Sequence, residues 1–508
     1  MTTNYLYDAL LADCLEDQRP FLRLANNEVW RYVDILSLSG QMANVLCDNG
    51  FVAGDRMAVQ VEKSPHVLAL YFACIRAGGV FLPLNTAYTV AELDYFIADA
   101  TPTMVVCDAG NQQALATLVA SHKATLLTLN GDGTGELTSA AKAAPRQFTS
   151  VARGADDLAA ILYTSGTTGR SKGAMLSHAN LLSNAQALAH SWQFDEHDVL
   201  LHTLPIFHIH GLFVAINVTL VARCSMIFLP RFDANEIIRH LPKATTLMGV
   251  PTFYVRLLAQ KNFTRALVAH IRLFVSGSAP LLAETHETFA ARTGQRILER
   301  YGMTETNMNT SNPYEGERRA GTVGFALPGV EVKICQPGSE ATVPQGEIGM
   351  IEVRGPNVFK GYWQNPSKTA EELRASGFFI TGDLGMVDDD GYIHIVGRTK
   401  DLVISGGFNV YPKEVETQID LLDGVVESAV IGIPHADFGE AVVAVAVQAV
   451  NTALTEMDVL TSIGGELARF KQPKRVIFVD HLPRNTMGKV QKNVLRDTYQ
   501  ELFNETTS

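Results

Sequence analysis

The stretch Leu158-Ala-Ala-Ile-Leu162, followed at once by Tyr163-Thr-Ser-Gly-Thr-Thr-Gly-Arg-Ser-Lys-Gly173, decides how the rest of the chain is read. Five consecutive apolar residues predict a buried strand. Behind them Thr164, Ser165, Thr167 and Thr168 supply four hydroxyls, Gly166 and Gly169 two glycines, and Arg170 and Lys172 two cations. Small residues let backbone N–H groups close on an anion, hydroxyls donate to it and cations neutralise it, so the loop suits a phosphate. It is not a Walker A loop, because Ser171 stands where that motif needs Gly and no Lys-Ser/Thr pair follows. Gly169-Arg-Ser-Lys-Gly173 fits G-x-S-x-G, but a nucleophile elbow needs its strand to run straight into the turn, and here a Gly/Thr/Ser loop intervenes.

Working outward, Arg56–Val61, Met104–Cys107 and Thr125–Leu129 read as strands, and Ser64–Ala77 carries its apolar residues at helical spacing. This alternation predicts an α/β fold with mostly parallel sheets covered by helices. The texture changes near residue 398, after which the chain reads β-β-α-β-β-α-β with a closing helix. The expected organisation is therefore a large domain over 1–397, a link at 398–401 and a small α+β domain over 402–508.

Of the 508 residues, 41 are Lys or Arg and 53 Asp or Glu, for a net charge of −12. A dedicated nucleic-acid binder would show a basic excess. The six scattered cysteines have no metal-ligand spacing and read as free thiols in a reducing, cytoplasmic setting. Leu212–Ala222 is too short to span a bilayer. His208-Ile-His210 lacks acidic or thiol partners at ligand spacing and reads as a pocket wall, both rings on one strand face. Between Arg469 and Arg496, eight basic residues face one acid, Asp480, a surface suited to a polyanion such as a nucleotide or coenzyme A.

The phosphate loop resembles that of the adenylate-forming superfamily of acyl-CoA synthetases, luciferases and peptide-synthetase adenylation domains. Five further signatures follow in order: Ser276-Gly-Ser-Ala-Pro280, Glu299-Arg-Tyr-Gly-Met-Thr-Glu305, Thr381-Gly-Asp383, Gly397-Arg-Thr-Lys-Asp-Leu402 and Pro483-Arg-Asn-Thr-Met-Gly-Lys489. The resemblance implies that ATP is held by Thr164, Ser165, Gly166, Thr167, Thr168, Gly169 and Lys172. It further implies Gly277, Ser278, Ala279 and Pro280 around adenine, with Glu299, Arg300, Tyr301, Gly302, Met303 and Thr304 beside the adenylate, and Asp383 and Arg398 at the ribose. Glu305, with Thr164, is the expected Mg²⁺ site, a carboxylate being the hard ligand Mg²⁺ takes alongside phosphate oxygens. Lys489 is the expected catalytic cation of adenylate formation. Lys400 and Asp401 form the implied hinge, and Ser405, Gly406, Gly407 and Phe408 the implied coenzyme A contact.

Phe207-His-Ile-His-Gly-Leu-Phe213, Gly249-Val-Pro-Thr-Phe-Tyr-Val-Arg256 and Tyr301–Met308 are most similar to malonyl-CoA synthetases, with Ile209 where Thr is frequent. The implied reaction joins malonate, or its methyl analogue, to coenzyme A through an acyl-AMP, with AMP and pyrophosphate as products. A dicarboxylate leaves one carboxylate to be buried against a fixed cation. Arg256 is the expected cation, with His208 and Met308 closing the wall and His208 also a catalytic candidate. The competing expectations are a short-chain or aryl acyl-CoA ligase, or an adenylate-binding or carrier-loading protein without ligase activity.

Overall fold

The computed structural model describes residues 3–164, 171–435, 437–450, 452–485 and 488–503. Its contacts group the chain into two units, Met1–Val332 with Val353–Phe379, and Lys333–Glu352 with Ile380–Ser508.

The first unit holds two sheets. One runs in the order Thr125–Thr128, Met104–Cys107, Arg56–Gln60, Val80–Pro83, Leu158–Thr164, Lys172–Ser177. Its first five strands are parallel, and the sixth returns antiparallel from the phosphate loop. Helices form the crossovers for legible reasons. Ser64 caps Pro65–Arg76 by accepting from the Val67 N–H, with Pro65 at the first turn where its missing N–H costs nothing. Thr89 and Glu92 close a capping box on Val90–Ala100. One face of this sheet buries Ala58, Leu82, Phe96, Val105 and Ile161 together.

The other sheet has nine strands, with Leu298–Met303, Leu273–Ser276, Thr246–Gly249, Val199–His202, Ser225–Phe228 and Pro20–Arg23 parallel at its centre. Asn307–Ser311 pairs antiparallel with Leu298–Met303. Parallel strands covered on both faces read as near-continuous apolar runs, and Leu273–Ser276 and Thr246–Gly249 are buried throughout. Leu212–Ala222 is an interior segment that begins as a π-helix over His210–Ile216. No helix among the described residues is long and apolar enough to cross a membrane.

The second unit contains a five-stranded sheet of Phe408–Val410, Val403–Ser405, Gly439–Gln448, Val425–His435 and Arg475–Val479, packed with helices Pro412–Asp420, Glu456–Ile463 and Lys492–Tyr499. This is the element order expected after residue 402. Residues 380–397, placed by the sequence reading in the large domain, group with the second unit, where Phe379–Val387 and Ile393–Arg398 form a hairpin. The six cysteines are free, with Cys47 exposed and the other five buried.

Candidate active site

In the first unit, Thr164 ends its strand opposite Lys172 in the antiparallel register, so both feet of the phosphate loop are fixed by sheet pairing. Tyr95 donates to the Ser171 carbonyl at 2.5 Å, and Tyr163 donates to Asp99 at 2.5 Å, tying the same feet to the helix Val90–Ala100. Ser165, Gly166, Thr167, Thr168 and Gly169 lie outside the described residues.

Lys172 stands beside a small polar network. Its Nζ is 3.4 Å from Glu372 and 4.2 Å from the centre of the Tyr362 ring. The Tyr362 hydroxyl is 2.5 Å from the other Glu372 oxygen and 3.1 Å from Glu305 Oε1, so one proton sits between two carboxylates. Burial pushes the Glu305 carboxyl above its ordinary range, against the Tyr362 hydrogen bond and the Lys172 charge. Among the described residues no three His, Cys, Asp or Glu side chains gather as a metal cage. A hard cation on Glu305 would draw its remaining ligands from phosphate and water, the usual habit of Mg²⁺, so the donor set fits that ion.

The adenine-pocket signature lies at the end of strand Leu273–Ser276. Ser278 adopts φ 71°, a left-handed conformation that is strained for serine, and its hydroxyl is 3.2 Å from His210 Nδ1. Tyr301 and Met308 are buried on the paired strands, where Asn184 holds both the N–H and the carbonyl of Met308. A bulge between Tyr301 and Gly302 brings the backbones so close that a Cβ on Gly302 would lie 1.9 Å from the Asn307 carbonyl oxygen. Glu299 accepts from the Leu281 N–H at 3.1 Å and holds the turn after Pro280.

The buried cation of this region is Arg300, not Arg256. Arg256 is exposed on helix Pro251–Leu258, its guanidinium 5.6 Å from the Phe232 ring centre. The Val-Pro-Thr segment starts a helix and leaves position 256 on its solvent side. Arg300 is 3% exposed, and its Nε and one terminal nitrogen are buried without a hydrogen-bond partner among the described residues. Burial lowers its pKa to about 9. His208 and His210 feel its charge. The His208 pKa falls to about 4, mainly through burial and then through Arg300, and His210 is also driven well down. Both rings are therefore neutral, and His210 Nε2 is buried without a hydrogen-bond partner among the described residues. The two histidines do not share a strand face: His208 lies in a turn whose Nδ1 receives the His210 N–H at 3.4 Å, and His210 opens the π-helix. Turns of that kind often mark functional sites. The signal for Arg300 was a guanidinium inside the strand Leu298–Met303, whose first four residues, Leu298 to Tyr301, are all buried.

In the second unit, Asp383 and Arg398 are register partners on the hairpin and form an ion pair at 3.0 Å. Thr381 accepts from the Asp383 N–H, which fixes the carboxylate's backbone. Lys489 is held by reciprocal bonds with Asn485, and its pKa falls to about 7, first through burial and then through Arg398, with Asp383 opposing. Lys400 is lowered to about 8 by burial and Arg398. Asp401 accepts both terminal nitrogens of Arg496 at 3.0 Å. Gly406 and Gly407 turn with positive φ after the buried Ser405, and the exposed Phe408 stacks on Phe470 at 4.7 Å.

The basic run is largely neutralised by acids remote in sequence. Lys471 pairs with Glu414, Arg475 with Glu456, Arg484 with Glu427, Lys492 with Glu416 and Arg496 with Asp401.

Comparison with known proteins follows this geometry. Residues 16–363 match the model of the AMP-binding enzyme family, and residues 414–489 that of the AMP-binding enzyme C-terminal domain. The crystal structure of ATP-bound MatB from Rhodopseudomonas palustris superposes with a TM-score of 0.97 at 58% identity, covering 99% of this chain and 100% of that one. A malonate–CoA ligase of Arabidopsis thaliana is 32% identical over 98% of this chain and 85% of its own length. A feruloyl-CoA synthase of an Amycolatopsis species is 35% identical, covering 92% and 93%.

Proposed function

The chain belongs to the AMP-binding enzyme family, and we propose that within it the protein joins malonate to coenzyme A at the expense of ATP. A malonate carboxylate oxygen attacks the α-phosphorus of ATP, the bond to the β-phosphate breaks, and pyrophosphate leaves. The thiol of coenzyme A then attacks the acyl carbon of malonyl-AMP, and AMP departs as thioester forms.

One observation carries the choice of acid. Arg300 is a buried guanidinium with donors that have no partner among the described residues, near two histidines that burial, and then its own charge, keep neutral. A monocarboxylate would be consumed in the mixed anhydride and leave that cation buried and unpaired. The second carboxylate of malonate supplies its counter-charge, through a planar fork that matches the anion. The malonate–CoA ligase relative supports the same acid. His208 and Met308 belong to the wall of this pocket.

The other roles follow from chemistry already described. Thr164, Lys172 and the loop between them hold the triphosphate, with Gly277 to Pro280 and Tyr301 at adenine and Asp383, set by Arg398, at the ribose hydroxyls. Mg²⁺ on Glu305 would neutralise the leaving pyrophosphate. Lys489 supplies the cation for the first half-reaction, and a swivel at Lys400–Asp401 exchanges it for the Ser405–Phe408 segment in the second. Arg469 and Lys474, which have no ion pair among the described residues, are the cations left for the phosphates of coenzyme A. The free thiols support a cytoplasmic setting.

The test is a panel of malonate, methylmalonate, acetate, butyrate and ferulate with ATP and coenzyme A, scored by pyrophosphate release and by the mass of the thioester. Malonate should give the highest kcat/KM. Preference for a monocarboxylate refutes the reading.

A further inference from the structure

Lys63 lies outside every motif described above, in the turn between strand Arg56–Gln60 and helix Pro65–Arg76. Burial lowers the pKa of its ammonium well below the ordinary lysine value, and three protein acceptors, one for each N–H, hold the proton against that pull. They are His202 Nδ1 at 2.7 Å, the His202 carbonyl at 3.1 Å and the Leu204 carbonyl at 3.0 Å. The Phe228 ring centre lies 4.3 Å away and adds a cation–π contact.

His202 passes the anchor on. Its Nε2 is 2.9 Å from the Gly211 carbonyl oxygen. A carbonyl only accepts, so Nε2 carries the proton and Nδ1 is left to accept from Lys63. Burial and the Lys63 charge both hold this ring neutral, in agreement with that assignment.

The two residues therefore grip both ends of the segment 202–211, which contains His208 and His210. The segment folds back so tightly that a Cβ on Gly211 would lie 2.0 Å from the Pro205 carbonyl oxygen. With both ends pinned and the turn tightly folded, the backbone that carries the two histidine rings near Arg300 is restrained.

We propose that Lys63 is a positioning residue for acid selection, acting through His202 to hold the histidine turn against the Arg300 pocket. The proposal rests on malonate being the acid that this pocket receives. Lys63 touches neither nucleotide nor acid in this account, so its loss should act on one substrate and not the other.

Lys63→Met keeps the aliphatic stem and removes the three donors. It should lower malonate kcat/KM by about tenfold or more, the scale of a lost hydrogen bond to a charged group. The KM for ATP and the weak activity on acetate should stay within about threefold, since neither uses the fixed position of that turn. His202→Gln is the conservative variant. Its amide oxygen can accept from Lys63 and its NH₂ can donate to Gly211, so malonate preference should survive. His202→Leu, which can do neither, should behave like Lys63→Met. Equal losses on malonate and acetate, or wild-type malonate preference in a folded Lys63→Met protein, overturn the proposal. If the Met and Leu proteins do not fold, Lys63→Arg decides. A guanidinium cannot place its donors on the same three acceptors, so malonate preference should drop several-fold, and unchanged preference overturns the proposal. A wild-type enzyme that does not prefer malonate refutes the proposed function instead, and is recognised before any variant is made.

Discussion

Arg300 packs its guanidinium onto the bare backbone of Gly277, so closely that a Cβ there would lie 2.4 Å from Cζ and 2.5 Å from Nε. Gly277 follows the end of strand Leu273–Ser276 and Arg300 lies within the neighbouring parallel strand Leu298–Met303, Ser276 being the register partner of Glu299. Glycine is required at 277 by the side chain across from it rather than by its own backbone angles. The signature Ser276-Gly-Ser-Ala-Pro280 thus shapes the proposed acid pocket as well as the proposed nucleotide site.

Gly277→Ala should therefore displace Arg300, which has no solvent to retreat into. Overpacking of this kind costs about 1–3 kcal/mol. Malonate kcat/KM should fall about tenfold or more, with a smaller effect on acetate. Steady-state kinetics on the two acids check it, and a uniform loss on both would place the damage at the nucleotide.

Arg256→Ala should be nearly silent. Its side chain is exposed and its guanidinium lies over the face of Phe232, and exposed contacts of that kind are worth roughly 0.5–1 kcal/mol. Malonate kcat/KM should change by less than about threefold. A hundredfold loss would return the substrate carboxylate to Arg256.

The contrast between these two arginines shows what the sequence makes legible. Strand and helix alternation and the element order after residue 402 follow from local periodicity and turn chemistry, and the structure carries them closely. Residue 256 looked isolated among apolar neighbours, but helix Pro251–Leu258 turns it outward, and a linear reading does not say which side of a short helix meets solvent. Arg300 appeared inside a nucleotide signature, and its partnership with Gly277 crosses strands 23 residues apart in the chain. Likewise the excess charge of 469–496 is largely offset by Asp401, Glu414, Glu416, Glu427 and Glu456, which only the fold brings near. Lys63 and His202 are 139 residues apart and belong to no motif.

Tyr362→Phe removes the hydroxyl between Glu305 and Glu372 while keeping the ring under Lys172. A hydrogen bond to a charged group is worth about 1.5–3 kcal/mol. Glu305 should lose its fixed orientation, and the Mg²⁺ concentration for half-maximal pyrophosphate release should rise about tenfold. Titration of activity with Mg²⁺ at saturating ATP measures this. An unchanged requirement would remove Glu305 from the metal site.

Lys489 makes stability depend on pH. Its folded pKa is about 7, against 10.5 for the ordinary side chain. Below about pH 7 folded and unfolded chains both carry the proton, and the cost of enclosing the charge is fully present. Between those two values the folded protein has released a proton that the unfolded chain keeps, so this cost fades as pH rises. Lys489→Met should therefore raise the Tm most at pH 6–7, and the gap should close toward pH 10. Thermal melts across that range check the sign, and a gap that widens with pH contradicts it.

The central claim is that Arg300 receives the free carboxylate of malonate, and kcat/KM for malonate and butyrate in wild type and Arg300→Met measures it most directly. Methionine keeps an unbranched stem and leaves no charge behind, and Arg300 Nε and one terminal nitrogen have no hydrogen bond to lose among the described residues. Breaking a buried charge pair costs about 3–5 kcal/mol, so malonate kcat/KM should fall at least about a hundredfold. Butyrate should be unaffected or improved, because it no longer strands a buried guanidinium. Equal losses on both acids, or malonate activity retained without Arg300, would contradict the account.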